Sequence, residues 1–226
     1  MRHLMYFVLV MVVLSACVGT GPNAQVTTST IEPSSTPLPS QTPVLASPIL
    51  ADFPLAVGTI WDYSAEITYQ DPNDYMKLLA WTGTVTDRVI DERVGSGGSI
   101  VFTVQEDLEP EPPEQVWRRS GTFEYTLSGD GVFKGSMKIY QVPLQSVQSW
   151  QAFEGTGYET LVQRVGEVVT PYGGLDDCYT FTLDTNPDTT MDTFCMGIGF
   201  VKHSYRHHGT PQNEEFELVS FTLGQP

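Results

Sequence analysis

Three of the four histidines, a short Asp-Asn-Asp loop, an acidic run and four tryptophans are the side chains here that could do chemistry on a ligand. His203 and His207 share a face of an extended strand, but at ~3.3 Å per residue they stand about 13 Å apart. One metal ion needs each nitrogen within about 2.1 Å, so the pair cannot chelate without a turn between them. His208 points to the other face, and all three are expected as exposed polar residues near a strand end. Asp184-x-Asn186-x-Asp188, with Asp192 beyond, has the oxygen spacing that opens a calcium loop. Thr189 stands where such a loop places glycine, Pro187 stiffens the turn, and Cys195 replaces the closing glutamate. Asp184, Asn186 and Asp188 are therefore a weak calcium candidate inside a polar hairpin loop. The run Glu106-Asp107-Leu108-Glu109-Pro110-Glu111, with Glu114, is expected as a solvated loop, with partner docking as the alternative.

Catalytic signatures are sparse. The chain has no Gly-x-Ser-x-Gly elbow, His-Glu-x-x-His or Ser-x-x-Lys, so no catalytic, cofactor-binding or metal residues are assigned beyond the calcium candidate. Scattered carboxylates could pair after folding as in glycosidases. Trp61, Trp81, Trp117 and Trp150 could stack on sugars, but Trp61 and Trp81 fall on the apolar phase of their segments and read as core.

The elements that position these residues read as strands. From Thr59 to Gln70, odd positions Trp61, Tyr63, Ala65, Ile67 and Tyr69 are apolar or aromatic, while the even ones are polar. Period-two alternation of this kind marks a strand with one buried and one wet face. Leu79–Val89 repeats it through Trp81 and Val85, then Ile100, Phe102 and Val104, then Phe123, Tyr125 and Leu127. Asp71-Pro72-Asn73-Asp74, Gly95-Ser96-Gly97-Gly98 and Ser128-Gly129-Asp130-Gly131 supply turns between them. Further strands are expected in 131–141, 158–169, 177–184, 193–205 and 215–223. No segment has capped helical periodicity. The expected fold is all-β: a single antiparallel, strongly curved sheet or open barrel-like meander of about 8–9 strands over residues 53–226.

Residues 1–17 are of another kind. Arg2 precedes an apolar run, Leu4–Leu14, too short to span a bilayer but suited to a signal peptide. Leu14-Ser15-Ala16-Cys17 resembles the lipobox of bacterial lipoproteins. In that family a diacylglycerol-modified cysteine becomes the mature N-terminus, which makes Cys17 the lipidation site. Several acyl chains on one residue give stable anchoring, at about 0.8 kcal/mol per buried CH₂. Residues 18–52 are rich in Ser, Thr and Pro, with Glu32 the only charge between Thr27 and Pro48. Such a segment buries too little apolar surface to order itself, and is expected to be a disordered stalk.

Cys178 and Cys195 remain as an even pair in an exported chain, which favours a disulfide. With Thr185–Asp188 in a hairpin loop, one register opposes them and also pairs Thr180 with Thr193 and Thr182 with Met191. The same register gathers Tyr179, Phe181, Leu183 and Phe194 on the other face. The cysteine face carries threonines, so the bond is expected on the wetter side.

The layout is similar to that of uncharacterised bacterial lipoproteins, carried by Phe53-Pro54-Leu55-Ala56-Val57-Gly58, Val169-Thr170-Pro171-Tyr172-Gly173-Gly174 and Gly197-Ile198-Gly199-Phe200-Val201-Lys202. The resemblance implies a lipid-anchored β-domain and assigns no activity.

Arg2 is the only charge in residues 1–17, so ten basic residues face 27 acidic ones after the leader. That imbalance repels phosphate backbones and excludes nucleic acid as a partner. The reading is a lipoprotein held by Cys17 at the extracytoplasmic face of a cell membrane, a non-catalytic surface or interaction module with an unknown protein or small-molecule partner and no cofactor. The alternatives are a carrier for an apolar or carbohydrate ligand, and a hydrolase with an unrecognised carboxylate pair.

Overall fold

The structure is a computed structural model that describes residues 48–129, 131–209 and 212–225. The leader 1–17 with Cys17, and residues 18–47 of the expected stalk, lie outside the described residues. The described chain opens with a short helix, α1 (Pro48–Asp52), and continues as β1 (Ile60–Asp71), β2 (Asp74–Val94), β3 (Ile100–Glu109), β4 (Gly121–Ser128), β5 (Gly131–Lys134) and β6 (Met137–Gln141). Then follow β7 (Val147–Gln151), β8 (Glu159–Thr170), β9 (Gly173–Asp184), β10 (Asp188–Cys195), β11 (Gly199–His207) and β12 (Gln212–Thr222).

All the strands join one antiparallel sheet in the order β6-β5-β4-β3-β2-β1-β12-β11-β10-β9-β8-β7. Consecutive strands pair as hairpins, and one long-range pairing, β1 with β12, sets Tyr63 opposite Leu218 at the centre. The two edges, β6 and β7, are consecutive in sequence and curl toward each other. The Lys138 amide donates to the Ala152 carbonyl at 2.8 Å, and Trp150 Nε1 donates to the Lys138 carbonyl at 2.9 Å. The result is a nearly closed barrel, in which edge strands protect each other.

The sheet has twelve strands, not 8–9. Residues 131–141 are two strands because the chain reverses at Gly135, which takes φ +60°. Residues 193–205 are likewise split, between β10 and β11, at the Cys195–Gly199 turn. Val147–Gln151 is a further edge strand whose polar composition hides it.

The inward faces follow the alternation. Trp61, Tyr63, Ala65, Ile67 and Tyr69 are all buried, as are Trp81, Val85 and Val89 across from them. Buried tryptophans and tyrosines need a partner for their polar atoms: Trp61 Nε1 donates to Ile198 O (2.6 Å), Trp81 Nε1 to Pro110 O (2.9 Å) and Tyr63 Oη to Phe200 O (3.0 Å). α1 belongs to the ordered domain, which thus begins before Phe53. Ile49 is buried, and the adjoining Phe53 ring meets Trp61, Tyr125, Tyr140, Phe194 and Phe200 at centroid distances of 5.4–6.4 Å. Gly199 admits that ring, since a Cβ there would stand 3.2 Å from it.

β9 and β10 pair with Cys178 opposite Cys195, Thr180 opposite Thr193 and Thr182 opposite Met191. The cysteines form a disulfide with Cα atoms 4.1 Å apart. It is buried rather than wet, at 0% and 1% exposure. The start of β9 folds over the sulfurs: Cys178 Sγ lies 3.4 Å from Leu175 O and 3.5 Å from Asp176 O, next to Asp177 at φ +55°.

Candidate functional site

The concave face contains a set of charged residues at positions where the alternation calls for apolar ones. Asp87 sits between Val85 and Val89 on β2, and Glu106 between Val104 and Leu108 on β3; the two acids are directly opposed. Glu214 precedes Phe216 and Leu218 on β12. His203 on β11 is flanked by Phe216 on one side and Asp192 of β10 on the other. Burying these groups is costly unless each is paired.

The pairing comes largely from a loop. Residues 110–120, between β3 and β4, fold over the concave face at the far end from α1. Val116 is buried there, and the Trp117 amide donates to Gln212 Oε1 at 3.2 Å. Arg118 then reaches inward. Its Nε and Nη2 donate to the two Glu106 oxygens at 3.1 and 2.5 Å, and Nη1 donates to Glu214 Oε2 at 2.9 Å. The guanidinium also lies 4.6 Å over the Phe216 ring. One forked cation therefore joins β3 to β12.

His203 completes the network, with Nδ1 2.6 Å from Asp192 Oδ1 and Nε2 3.6 Å from Glu214 Oε2. Burial alone would favour neutral imidazole, but Asp192 and Glu214 outweigh it and hold His203 up to about 9. Burial also works against the Glu214 carboxylate, yet the His203 hydrogen bond and the Arg118 charge bring it down to about 2. Asp87 is shifted the opposite way. Burial first, and then the Glu106 charge, push it up to about 7.

Beside this network lies a cavity of about 220 Å³. Asp87, Arg118, Tyr125, Lys134, Asp192 and His203 give it polar walls, while Val85, Ile139, Phe200 and Phe216 supply apolar ones. Tyr125 and Lys134 are directly opposed on β4 and β5, so both project from the same face. The arrangement can hold a small molecule with a polar head and an apolar body.

The structure distributes the sequence candidates differently. Of the three histidines only His208 is an exposed strand-end residue: His203 faces the interior, and His207 pairs through Nδ1 with Asp188 and sits edge-on to Trp117 at 5.5 Å. The phase was hidden by a bulge: Thr193 pairs with Lys202 but Phe194 with Phe200, so the inward register of β11 shifts across Val201. The carboxylate oxygens of the Asp184-Asn186-Asp188 loop have partners within the protein. Asp184 Oδ1 accepts the Asn186 amide at 3.1 Å, and Asp188 turns to His207. Among the described residues no group of three or more His, Cys, Asp or Glu could hold a metal ion. The acidic run is not a loop throughout, since Glu106 and Leu108 are buried in β3. Trp61, Trp81 and Trp150 are core residues; Trp117, 56% exposed, stands outside the core and lines a surface pocket with Tyr69 and Tyr75.

Fold and site together define a curled antiparallel sheet around a cavity lined by both charged and apolar side chains. No protein-family model matches the chain, and no curated protein matches it. Three solved structures are similar to it. One, from Parabacteroides distasonis, is assigned as a lipoprotein, with 8% identity, 74% of this chain and 96% of that chain covered, and a TM-score of 0.42. The second, from Bacteroides fragilis, is assigned as an exported protein, with 11% identity, the same coverage and a TM-score of 0.41. The third, from Vibrio parahaemolyticus, is assigned as an outer-membrane lipoprotein-sorting domain, with 8% identity, 74% and 86% coverage and a TM-score of 0.30. At these TM-scores no argument about this chain rests on the likeness.

Proposed function

We propose that this chain is a lipid-anchored extracytoplasmic lipoprotein, non-catalytic, whose curled sheet binds a small molecule in its interior. The observation that supports binding most directly is the cavity of about 220 Å³ inside the sheet, walled by polar groups on one side and apolar groups on the other. A sealed core would have favoured a purely structural or surface role. The carboxylate pair gives little support to a hydrolase. Asp87 and Glu106 abut directly, and Glu106 is clamped by Arg118, so the two do not straddle a scissile bond as glycosidase carboxylates do. The test of binding is ligand-observed NMR with a panel of fragment-sized solutes against the wild type and Met137→Trp, which fills the cavity. Saturable binders lost in the filled variant are expected. A panel that does not distinguish the two proteins overturns the reading.

Anchoring rests on the lipobox at Leu14–Cys17. Cys17→Ala should leave the leader uncleaved or release the chain from membranes on fractionation; normal processing with unchanged membrane retention removes this part of the reading. A second role, docking to a protein partner, is supported by the β1–β2 hairpin tip, where Tyr75 and Met76 are 75% and 93% exposed. Photo-crosslinking from position 76 in intact cells should capture a partner, and the absence of any specific crosslink would exclude the tip.

A further inference from the structure

Building on the reading of the cavity as a binding site, we propose that its ligand is a small carboxylate with an apolar body, its anionic head held by the Lys134 ammonium and the Tyr125 hydroxyl. The inference starts from an imbalance among the half-buried cations that line the cavity. Arg118 is matched by Glu106 and Glu214, and His203 by Asp192 and Glu214. Lys134 has no such match. Its Nζ lies 3.7 Å from the centroid of the Phe123 ring, and among the described residues no carboxylate forms an ion pair with it. A buried charge is normally paired, because desolvation costs more than a ring face returns. Burial and the Arg118 charge accordingly weaken the hold of Lys134 on its proton, while Glu106, Asp87 and Asp192 oppose them from longer range. An anion at Nζ would supply the missing partner.

The groups around Lys134 narrow the ligand class. Tyr125 stands directly across from Lys134, lines the same cavity, and its hydroxyl bonds to no described residue. Ammonium and phenol thus present convergent donors to one acceptor group. Asp87 also lines the cavity, and one of its buried oxygens has no donor. Burial and the Glu106 charge raise Asp87 to about 7, so it can take up a proton and then does not repel an anion. Proton uptake at Asp87 on entry of a carboxylate would leave the net charge of the interior unchanged. The opposite walls, Ile139, Phe200 and Phe216, are apolar. A cavity of about 220 Å³ holds the volume of about seven waters at ~30 Å³ each, which fits a benzoate-sized molecule.

Benzoate, its neutral analogue benzamide and the cation benzylamine separate this proposal from the broader reading. Each is titrated by ligand-observed NMR into the full mature chain in phospholipid nanodiscs. Benzoate should bind the wild type more tightly than either analogue. Lys134→Met should weaken benzoate by about tenfold or more, since a hydrogen bond to a charged group is removed, while Lys134→Arg retains most of the affinity. Should Lys134→Met fail to fold, Tyr125→Phe deletes only the hydroxyl and should still weaken benzoate. Benzamide or benzylamine binding as tightly as benzoate, or benzoate indifferent to both substitutions, overturns the ligand class and leaves the cavity reading standing. No binding of any of the three to the wild type overturns the ligand class and counts against the cavity reading as well.

Discussion

Asp87, Glu106 and Glu214 each interrupt an apolar phase, and the ionisation of Asp87, Glu214 and the neighbouring His203 determines how the interior responds to pH. Asp87 has a folded value near 7, raised by burial and then by Glu106 above its unfolded value of 3.8. The stability it contributes is full below the unfolded value and is lost as pH rises toward 7. His203, held near 9 because Asp192 and Glu214 outweigh its burial, contributes stability that is full below 6.5 and lost as pH rises through 9. Glu214, held near 2 because its partners outweigh burial, contributes above 4.5 and loses that contribution as pH falls through 2. The melting temperature should therefore be highest near pH 4–5 and decline in two stages toward pH 9. In Asp87→Asn the decline between pH 5 and 7 should disappear while the later stage remains. Superimposable melting profiles for the variant and the wild type would refute this assignment. These acids were legible in principle: Val85-x-Asp87-x-Val89 and Val104-x-Glu106-x-Leu108 keep the alternation and break only its polarity. His203 was not legible, because the bulge across Val201 changes which parity faces inward.

The loop of residues 110–120 contributes no strand, yet it organises charges contributed by five strands, β2, β3, β10, β11 and β12. Its sequence, rich in Pro and Glu, reads as solvent-exposed, and nothing in its spacing announces that Arg118 turns inward while Arg119 turns out. The difference is one of contact. Arg118 forks between Glu106 and Glu214 with a side chain 22% exposed, whereas Arg119, 37% exposed, donates to the Arg118 and Pro113 carbonyls of its own loop and reaches a carboxylate, Glu111, only at 3.9 Å. Removing one partner of a buried pair costs about 3–5 kcal/mol, and the residual exposure of Arg118 points to the lower end. Arg118→Met should thus lower the unfolding free energy by about 3 kcal/mol, and Arg119→Met by no more than about 1 kcal/mol. Equal effects in urea denaturation would mean that Arg118 is not the clamp. The strands themselves were legible where one face is consistently wet, as in β1. They merged in the sequence reading wherever a short Gly-containing reversal, such as Gly135 or Gly197–Gly199, left the apolar pattern almost uninterrupted.

At the scale of the whole molecule, the curl of the sheet brings edge strands, α1 and the disulfide turn to places that pairing rules alone do not specify. Local register was legible for β9 and β10, because one alignment satisfies both the cysteines and the aromatic face. Burial of the bond was not, since it depends on the start of β9 folding back over the sulfurs. Two substitutions separate these contributions. The cysteines are 17 residues apart, and closing a loop of that size is worth about 3 kcal/mol in the chain-entropy model. On a wet face, Cys178→Ser/Cys195→Ser and Cys178→Ala/Cys195→Ala would cost about the same. In the observed site, at 0% and 1% exposure, a serine at position 178 would meet the Leu175 and Asp176 carbonyls, whereas one at position 195 buries a hydroxyl without such carbonyls beside it, at about 1–3 kcal/mol. The alanine pair should therefore lose about 3 kcal/mol and the serine pair distinctly more, measured by urea denaturation under non-reducing conditions. Matching midpoints for the two pairs would show that the sulfurs are open to water and that the fold of Leu175–Asp177 over them does not persist in solution.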